Sequence, residues 1–297
     1  MQLADDSNSS NERMRFYLLH HCIVKQTSIT TKLRVVFDGS CKSSTGTSLN
    51  DILMVGPIVQ SDLFSLLVRF RIYKYVFTAN VVKMYRQIVN QSQTSLQSIL
   101  WRDHVTQSVR TYELKTVTYG TACAPYLATR CLKYLAEIYH SDFPVGAGAI
   151  INDMYVDNLL TGAQSLSEAK IKRDQIITIM SKGGFALDKW FSNDKALLEG
   201  LRSTSGQENV LLTEGAVTHI LGLQWDPHED SFRYTFDGEG KHSNVTKKNM
   251  LAEISCLLDP LGLIDPVILI AKLMIQELWR LELDWDASVP VTCIHVG

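Results

Sequence analysis

Asp157 and Asn158 stand between two short apolar runs, Met154-Tyr155-Val156 and Leu159-Leu160. The pattern predicts a tight hairpin with this polar pair at its tip. Asn80, the amide counterpart of an acid, follows the compact apolar run Tyr75-Val76-Phe77-Thr78-Ala79, which reads as a strand. Carboxylates that converge at one end of a sheet are how two-metal phosphoryl-transfer centres are built. Each residue also has a plainer reading. Asp157 is a good turn former, Tyr85 fills a core, and Arg34 and Lys189 are solvated surface.

The elements that must position them follow from periodicity and punctuation. Strands are predicted around Cys22–Lys25 and Leu33–Phe37, followed by a Ser/Gly/Lys loop from Gly39 to Gly46 and a helix over Ser61–Phe70. Pro125 opens a helix whose apolar stripe is Leu127, Cys131, Leu135 and Ile138. Ser165 and Glu168 make a capping box, and Gly183-Gly184 stops the helix that it starts. His219–Trp225 and Phe232–Phe236 read as a second hairpin. Asp265 caps and Pro266 opens a last helix with the apolar face Val267, Ile270, Ala271, Met274, Ile275 and Leu278. The order predicts an α+β fold with helices on one face of an antiparallel sheet.

Composition sets the outer bounds. With 297 residues, 45% of them hydrophobic, the chain can bury one large domain or two smaller ones. A net charge of −2 gives no overall basic attraction, so a nucleic acid must be held by a local groove. The six cysteines (22, 41, 123, 131, 256 and 293) form no C-x-x-C pair and read as buried free thiols in a reducing compartment. His20, His21 and Cys22 adjoin, but no second ligand pair follows at metal-finger spacing. The polar start lacks the apolar core of a signal peptide, and the greasy run Val267–Ile275 is broken by Lys272. The expectation is a soluble, cytoplasmic protein with no membrane partner.

Longer strings carry a family resemblance: KLRVVFDGS, SLNDILMVGP, YVFTANVVKMYRQI, TYELKTVTYGTACAPYLATR, MYVDNLLTG, GGFALDKW, LGLQWDP and ISCLLDPLGLIDPVILIAKLMIQELWRLELDW. In this order, from about Phe16 to the C-terminus, the chain resembles the reverse transcriptases of BEL/Pao-type LTR retrotransposons. The resemblance implies a right-hand polymerase fold, magnesium, and RNA-directed DNA synthesis with template–primer and dNTP. It implies a disordered tail over 1–15, fingers and palm over 16–226 and a thumb-like connection segment over 227–297. It further implies a Gag-Pol-type polyprotein with protease, RNase H and integrase, in a virus-like particle.

Roles carried over by resemblance are mixed. Where the family has three metal-binding aspartates, in patterns like YVFTADIAKMY and YVDD, this chain has Asn80, Asp157 and Asn158. Val81 matches a position that offers a metal only its backbone carbonyl. Arg34 matches the grip on the incoming triphosphate, Tyr85 the gate against a ribose 2′-hydroxyl, and Tyr119 the lining of the nucleotide pocket. Lys189 matches the lysine that protonates the leaving pyrophosphate, and Leu221-Gly222 the segment that positions the primer. One carboxylate of three predicts impaired catalysis. The alternatives are a non-catalytic template–primer-binding protein or a decayed retroelement fragment.

Overall fold

Strand β4 (Tyr75–Val81) is buried on both faces for most of its length, with Val76, Phe77 and Ala79 almost fully excluded from solvent. It lies between β8 (Asn158–Ala163) and β9 (Leu187–Ser192) in an antiparallel sheet completed by β7 (Met154–Tyr155), in the order β7-β8-β4-β9. A near-continuous apolar run suits this place, because a central strand covered on both sides has no polar face to present. The computed structural model describes residues 1–4, 14–24, 26, 32–89, 92–201, 217–234 and 245–289. They fall into two compact units: residues 1–62 with 69–211, and residues 63–68 with 212–297.

In the first unit, α6 (Leu166–Lys182) packs on β4 and β8, α5 (Pro144–Asn152) on α6, and α4 (Ala124–Ile138) on both of those helices. Ser165 caps α6 by accepting from the Glu168 N–H, and Gly183 ends it. The buried stripe of α4 is Ala124, Ala128, Leu132 and Ala136; the predicted stripe is displaced, with Leu127 and Ile138 exposed. Small residues win the inner face because they let the helices approach closely. Gly146 of α5 shows the same demand, since a Cβ there would meet Gln175 and the backbone of Ile176.

A second sheet, ordered β1-β6-β5, comprises β1 (Gln2–Leu3), β5 (Ser98–Trp101) and β6 (Arg110–Glu113). The strand at Gln2–Leu3 corrects the expectation of disorder there, since Ala4 also donates to the Thr111 carbonyl at 3.0 Å. A two-stranded ribbon pairs β2 (Leu19–Val24) with β3 (Leu33–Asp38). Leu18, Leu49 at the head of α1 (Leu49–Ile52) and Ile99 form a small core beneath it, joined by Phe37 and Tyr112. Helix α2 (Leu63–Ile72) leads into β4, and α3 (Met84–Gln87) is a single turn after it.

The second unit holds the sheet β10 (Thr218–Ile220), β11 (Leu223–Asp226), β12 (Ser231–Arg233) and the helices α7 (Lys247–Cys256) and α8 (Asp265–Arg280). The segment His219–Trp225 is thus itself a hairpin, turning at Leu221-Gly222, rather than one arm of a longer one. Both turn residues have positive φ, as a two-residue turn of the type that matches strand twist requires. Asp265 lies inside the first turn of α8 instead of capping it. The Asp259 carboxylate instead holds the turn that leads into α8, accepting from the N–H groups of Leu263 and Ile264 at 3.1 and 2.6 Å and from the Tyr234 hydroxyl at 2.6 Å. On α8 only Ile268 and Leu278 are buried, while Val267 and Ile270 are exposed.

None of the five described cysteines is buried: Cys22 and Cys256 are exposed, and Cys41, Cys123 and Cys131 are half-buried. The expectations for Lys25, residues 5–13, residues 235–236 and Cys293 lie outside the described residues. No described helix is long and apolar enough to cross a membrane.

Candidate active site

The antiparallel register of β4 and β8 sets Asn80 directly opposite Asn158. Asn80 Nδ2 donates to Asn158 Oδ1 at 2.9 Å, and Asn158 Nδ2 donates in turn to Asp157 Oδ1 at 3.1 Å. The Val81 N–H donates to the Asp157 carbonyl at 2.8 Å, tying the hairpin to the end of β4. Asn80, Asp157, Asn158 and Val81 therefore form one hydrogen-bonded strip at the sheet end.

The hairpin tip differs by one residue from the prediction. Tyr155 pairs with Asn158, so the turn is Val156-Asp157, and Asn158 belongs to the strand. Val156 has φ +54°, the left-handed region that β-branched residues avoid. Its N–H is held by Gln60 Oε1 at 3.0 Å. At the base of the hairpin, Asp153 accepts from Thr161 Oγ1 at 2.6 Å and from Arg69 at 3.0 Å, while Arg69 also donates to the Asn152 carbonyl. Sequence reasoning missed Gln60 and Asp153. A lone acid inside the apolar string INDMY was the available signal for the second.

A β-bulge sets Lys189 next to Asp188, the register partner of Asn80. Phe77 pairs with Ser192 and Thr78 with Phe191, but Asn80 pairs with Asp188, leaving an extra residue on β9 opposite Ala79. Lys189 sits in that bulge with φ +54°, exposed. Bulges re-aim side chains in this way. Burial raises the Asp157 carboxyl above the ordinary aspartate range, and the nearby Lys189 charge draws it partly back. Burial also raises the Tyr85 hydroxyl, with the Asp157 charge adding to the effect.

Tyr85, carried on α3, lies 6.4 Å from Tyr119 between ring centroids, and Tyr119 lies 5.3 Å from Phe37. The Tyr119 loop is fixed by Gly120, at φ +92°, where a Cβ would collide with the Phe37 carbonyl. Asn50 clasps the same loop, donating to the Gly120 carbonyl at 3.2 Å and accepting from the Ala122 N–H at 2.8 Å. Arg34 is exposed on β3, opposite Ile23. Strand alternation turns it away from the Phe37 face. No hydrogen bond or ion pair among the described residues joins it to the strip. Leu221 and Gly222 belong to the second unit, where a Cβ on Gly222 would strike Leu258.

The fold is shared with retroviral Pol enzymes. The structure of the foamy viral protease-reverse transcriptase dRH in complex with ds DNA matches 88% of this chain, at 14% identity and a TM-score of 0.54. The same viral protease-reverse transcriptase in complex with RNA/DNA hybrid matches 89%, at 12% identity and a TM-score of 0.57. The chain spans 39% and 31% of those two chains. A family model described as a Pao retrotransposon-like RNaseH-like domain matches residues 246–295. The described part of that stretch contributes α7 and α8, with no strand. No curated protein sequence matches the chain.

The donor set does not fit a pair of divalent cations. Such ions need anionic oxygens, and the strip supplies one carboxylate. Asn158 Oδ1 already accepts from Asn80, and one Asp157 oxygen already accepts from Asn158. Among the described residues no group of three or more His, Cys, Asp or Glu side chains could hold a metal ion.

Proposed function

We propose that this chain carries the fingers, palm and start of the thumb of a retroelement reverse transcriptase that still seats a template–primer but has lost most metal-dependent nucleotidyl transfer. The observation that carries this reading is the strip Asn80–Asn158–Asp157, with amides at two of the three positions where the resembled reverse transcriptases have carboxylates. The Pol-like fold and the retrotransposon match at residues 246–295 support the lineage. The nucleic acids bound to the foamy viral proteins support RNA or DNA as the partner. In this reading the sheet β7-β8-β4-β9 is the palm, and the β2–β3 ribbon with the sheet β1-β6-β5 makes the fingers. Tyr85 and Tyr119 line the nucleotide pocket, and Lys189 serves the triphosphate.

Charge decides the catalytic half of the proposal. A unit charge about 4 Å from a cation contributes on the order of 4 kcal/mol at an effective dielectric near 20. Losing even half of one such interaction weakens metal binding roughly thirtyfold, and two carboxylates are missing. Magnesium, the family's cofactor, is therefore poorly held. Phosphate contacts by Lys and Arg do not depend on it. Fluorescence anisotropy with an RNA–DNA hybrid tests the binding half. Salt-sensitive binding is the expected result, and its absence at low salt overturns that half. Primer extension tests the other: addition by the unmodified chain at about 1 per second or faster overturns the loss of catalysis.

A further inference from the structure

Five rings follow one another through the first unit. From Tyr85 the centroid steps are 6.4 Å to Tyr119, 5.3 Å to Phe37, 6.1 Å to His20 and 6.0 Å to Trp101. The inner end stands beside the strip, where the Asp157 charge acts on the Tyr85 hydroxyl. In the middle, His20 and Phe37 are register partners across the β2–β3 ribbon, and Phe37 is anchored on the small core of Leu18, Leu49 and Ile99. The outer end lies on β5. Tryptophan is highly buried on average, yet Trp101 is 43% exposed. Its indole N–H donates to the Asp103 carboxylate at 3.0 Å, so the ring is already oriented and loses little freedom on gaining a partner. Its cross-strand neighbour is the exposed Arg110. From Trp101 to Arg110 the chain carries two arginines and one acid, which leaves this tip net positive.

Unpaired nucleic acid is held by this combination: bases stack on aromatic rings while a nearby cation takes the phosphates. Successive bases of a duplex strand lie about 3.4 Å apart. Rings spaced 6.0–6.1 Å apart instead suit a strand whose bases are already separated. We infer that Phe37, His20 and Trp101, with Arg110, form a stacking platform for the unpaired bases of a nucleic-acid strand leading away from the nucleotide pocket. The inference rests on the template–primer reading above and adds to it a base-directed site on the fingers. Because every base has a face to stack, the platform is indifferent to sequence.

Fluorescence anisotropy tests it with three RNA–DNA hybrids: one blunt, one with an unpaired template extension of about eight nucleotides, and one whose extension lacks bases. The extension should raise the affinity of the unmodified chain about tenfold. The abasic extension, which keeps the phosphates, should raise it by no more than about twofold. Trp101→Leu, apolar but without a ring face, should lose most of the gain, and Trp101→Phe should keep most of it. Equal affinity for blunt and extended hybrids overturns the platform while template–primer binding stands. Equal gains from the normal and abasic extensions assign the contact to phosphate and also overturn it. These two comparisons need no variant, so they decide the matter even where Trp101→Leu does not fold. A folded Leu variant with the full gain overturns the platform too. If no hybrid binds, the template–primer reading falls and the isolated extension strand reads the platform by itself: base-dependent binding keeps it, and none removes it.

Discussion

Asn80 donates from Nδ2 to Oδ1 of Asn158 at 2.9 Å, across the register pair that joins the ends of β4 and β8. Both side chains are half-buried. A carboxylate at either position would sit against a second carboxylate or an amide oxygen unless a cation intervened. The amide pair removes that need, and each such bond is worth about 1 kcal/mol net. The sheet end is therefore stable as a protein surface without any ion.

Reverting both residues, Asn80→Asp with Asn158→Asp, should restore magnesium-dependent nucleotide addition in a primer-extension assay. Either change alone should restore less, with Asn80→Asp the more effective because on the proposed reading that position would serve both ions. Adding Asp157→Ala must abolish the gain. A double revertant that stays inert while folded and hybrid-bound places the defect elsewhere.

Val156→Gly should stabilise the chain by about 1 kcal/mol, since left-handed strain of about 1–3 kcal/mol is released against glycine's entropic cost. Equilibrium urea unfolding reads the change. The Gln60 contact uses the backbone N–H of residue 156 and survives the substitution. A loss of stability would show that the valine side chain packs well enough to outweigh its backbone.

Gly120→Ala should cost about 3 kcal/mol, because a methyl at φ +92° both strains the backbone and meets the Phe37 carbonyl. The same change should displace Tyr119 from Phe37, seen as altered near-ultraviolet circular dichroism. Gly46→Ala, at φ +81° with open space around it, supplies the comparison without a collision and should cost less.

Acid should loosen the sheet β1-β6-β5 before the sheet around β4. Glu113 accepts from Thr94 at 2.6 Å and Lys115 at 3.1 Å, and these bonds, with the Arg15 charge, hold its carboxyl below the ordinary glutamate value of about 4.3. A depressed folded value means the stabilisation is complete above the unfolded value and is lost as pH falls through the folded one. Hydrogen exchange at Leu100 and Tyr112 between pH 5 and 3 should show the loss, and Glu113→Gln should remove its pH dependence. Equal acid sensitivity in the Gln variant would assign the effect to another group.

The buried strand at Tyr75–Val81 and the capped helix after Ser165 were legible because one residue type at one spacing decides each. The hairpin tip was misread by one position because Asp and Asn are both good turn formers; the structure instead places Val156 at the strained position, held by Gln60 from 96 residues away in the chain. The α4 stripe was misread because larger apolar residues weigh more in a periodicity than alanines do, whereas close helix approach selects the small ones. The Lys189 bulge leaves no local mark. It arises from the register of two strands more than 100 residues apart, which periodicity cannot carry.

The mutual hydrogen bonding of Asn80 and Asn158 also constrains how this chain can change over generations. With Asn80→Asp alone, Asn158 lies between two carboxylates, and whichever way its amide turns, its oxygen faces one of them. With Asn158→Asp alone, two adjacent acids share the tip. Each intermediate is worse than the amide pair, and the state with three carboxylates is tolerable only when a cation is held among them, so the substitutions are epistatic. A double-mutant cycle should show a coupling of about 1 kcal/mol or more in unfolding free energy. A lineage that has acquired both amides thus finds return by single steps uphill, and selection for folding alone is enough to keep the pair.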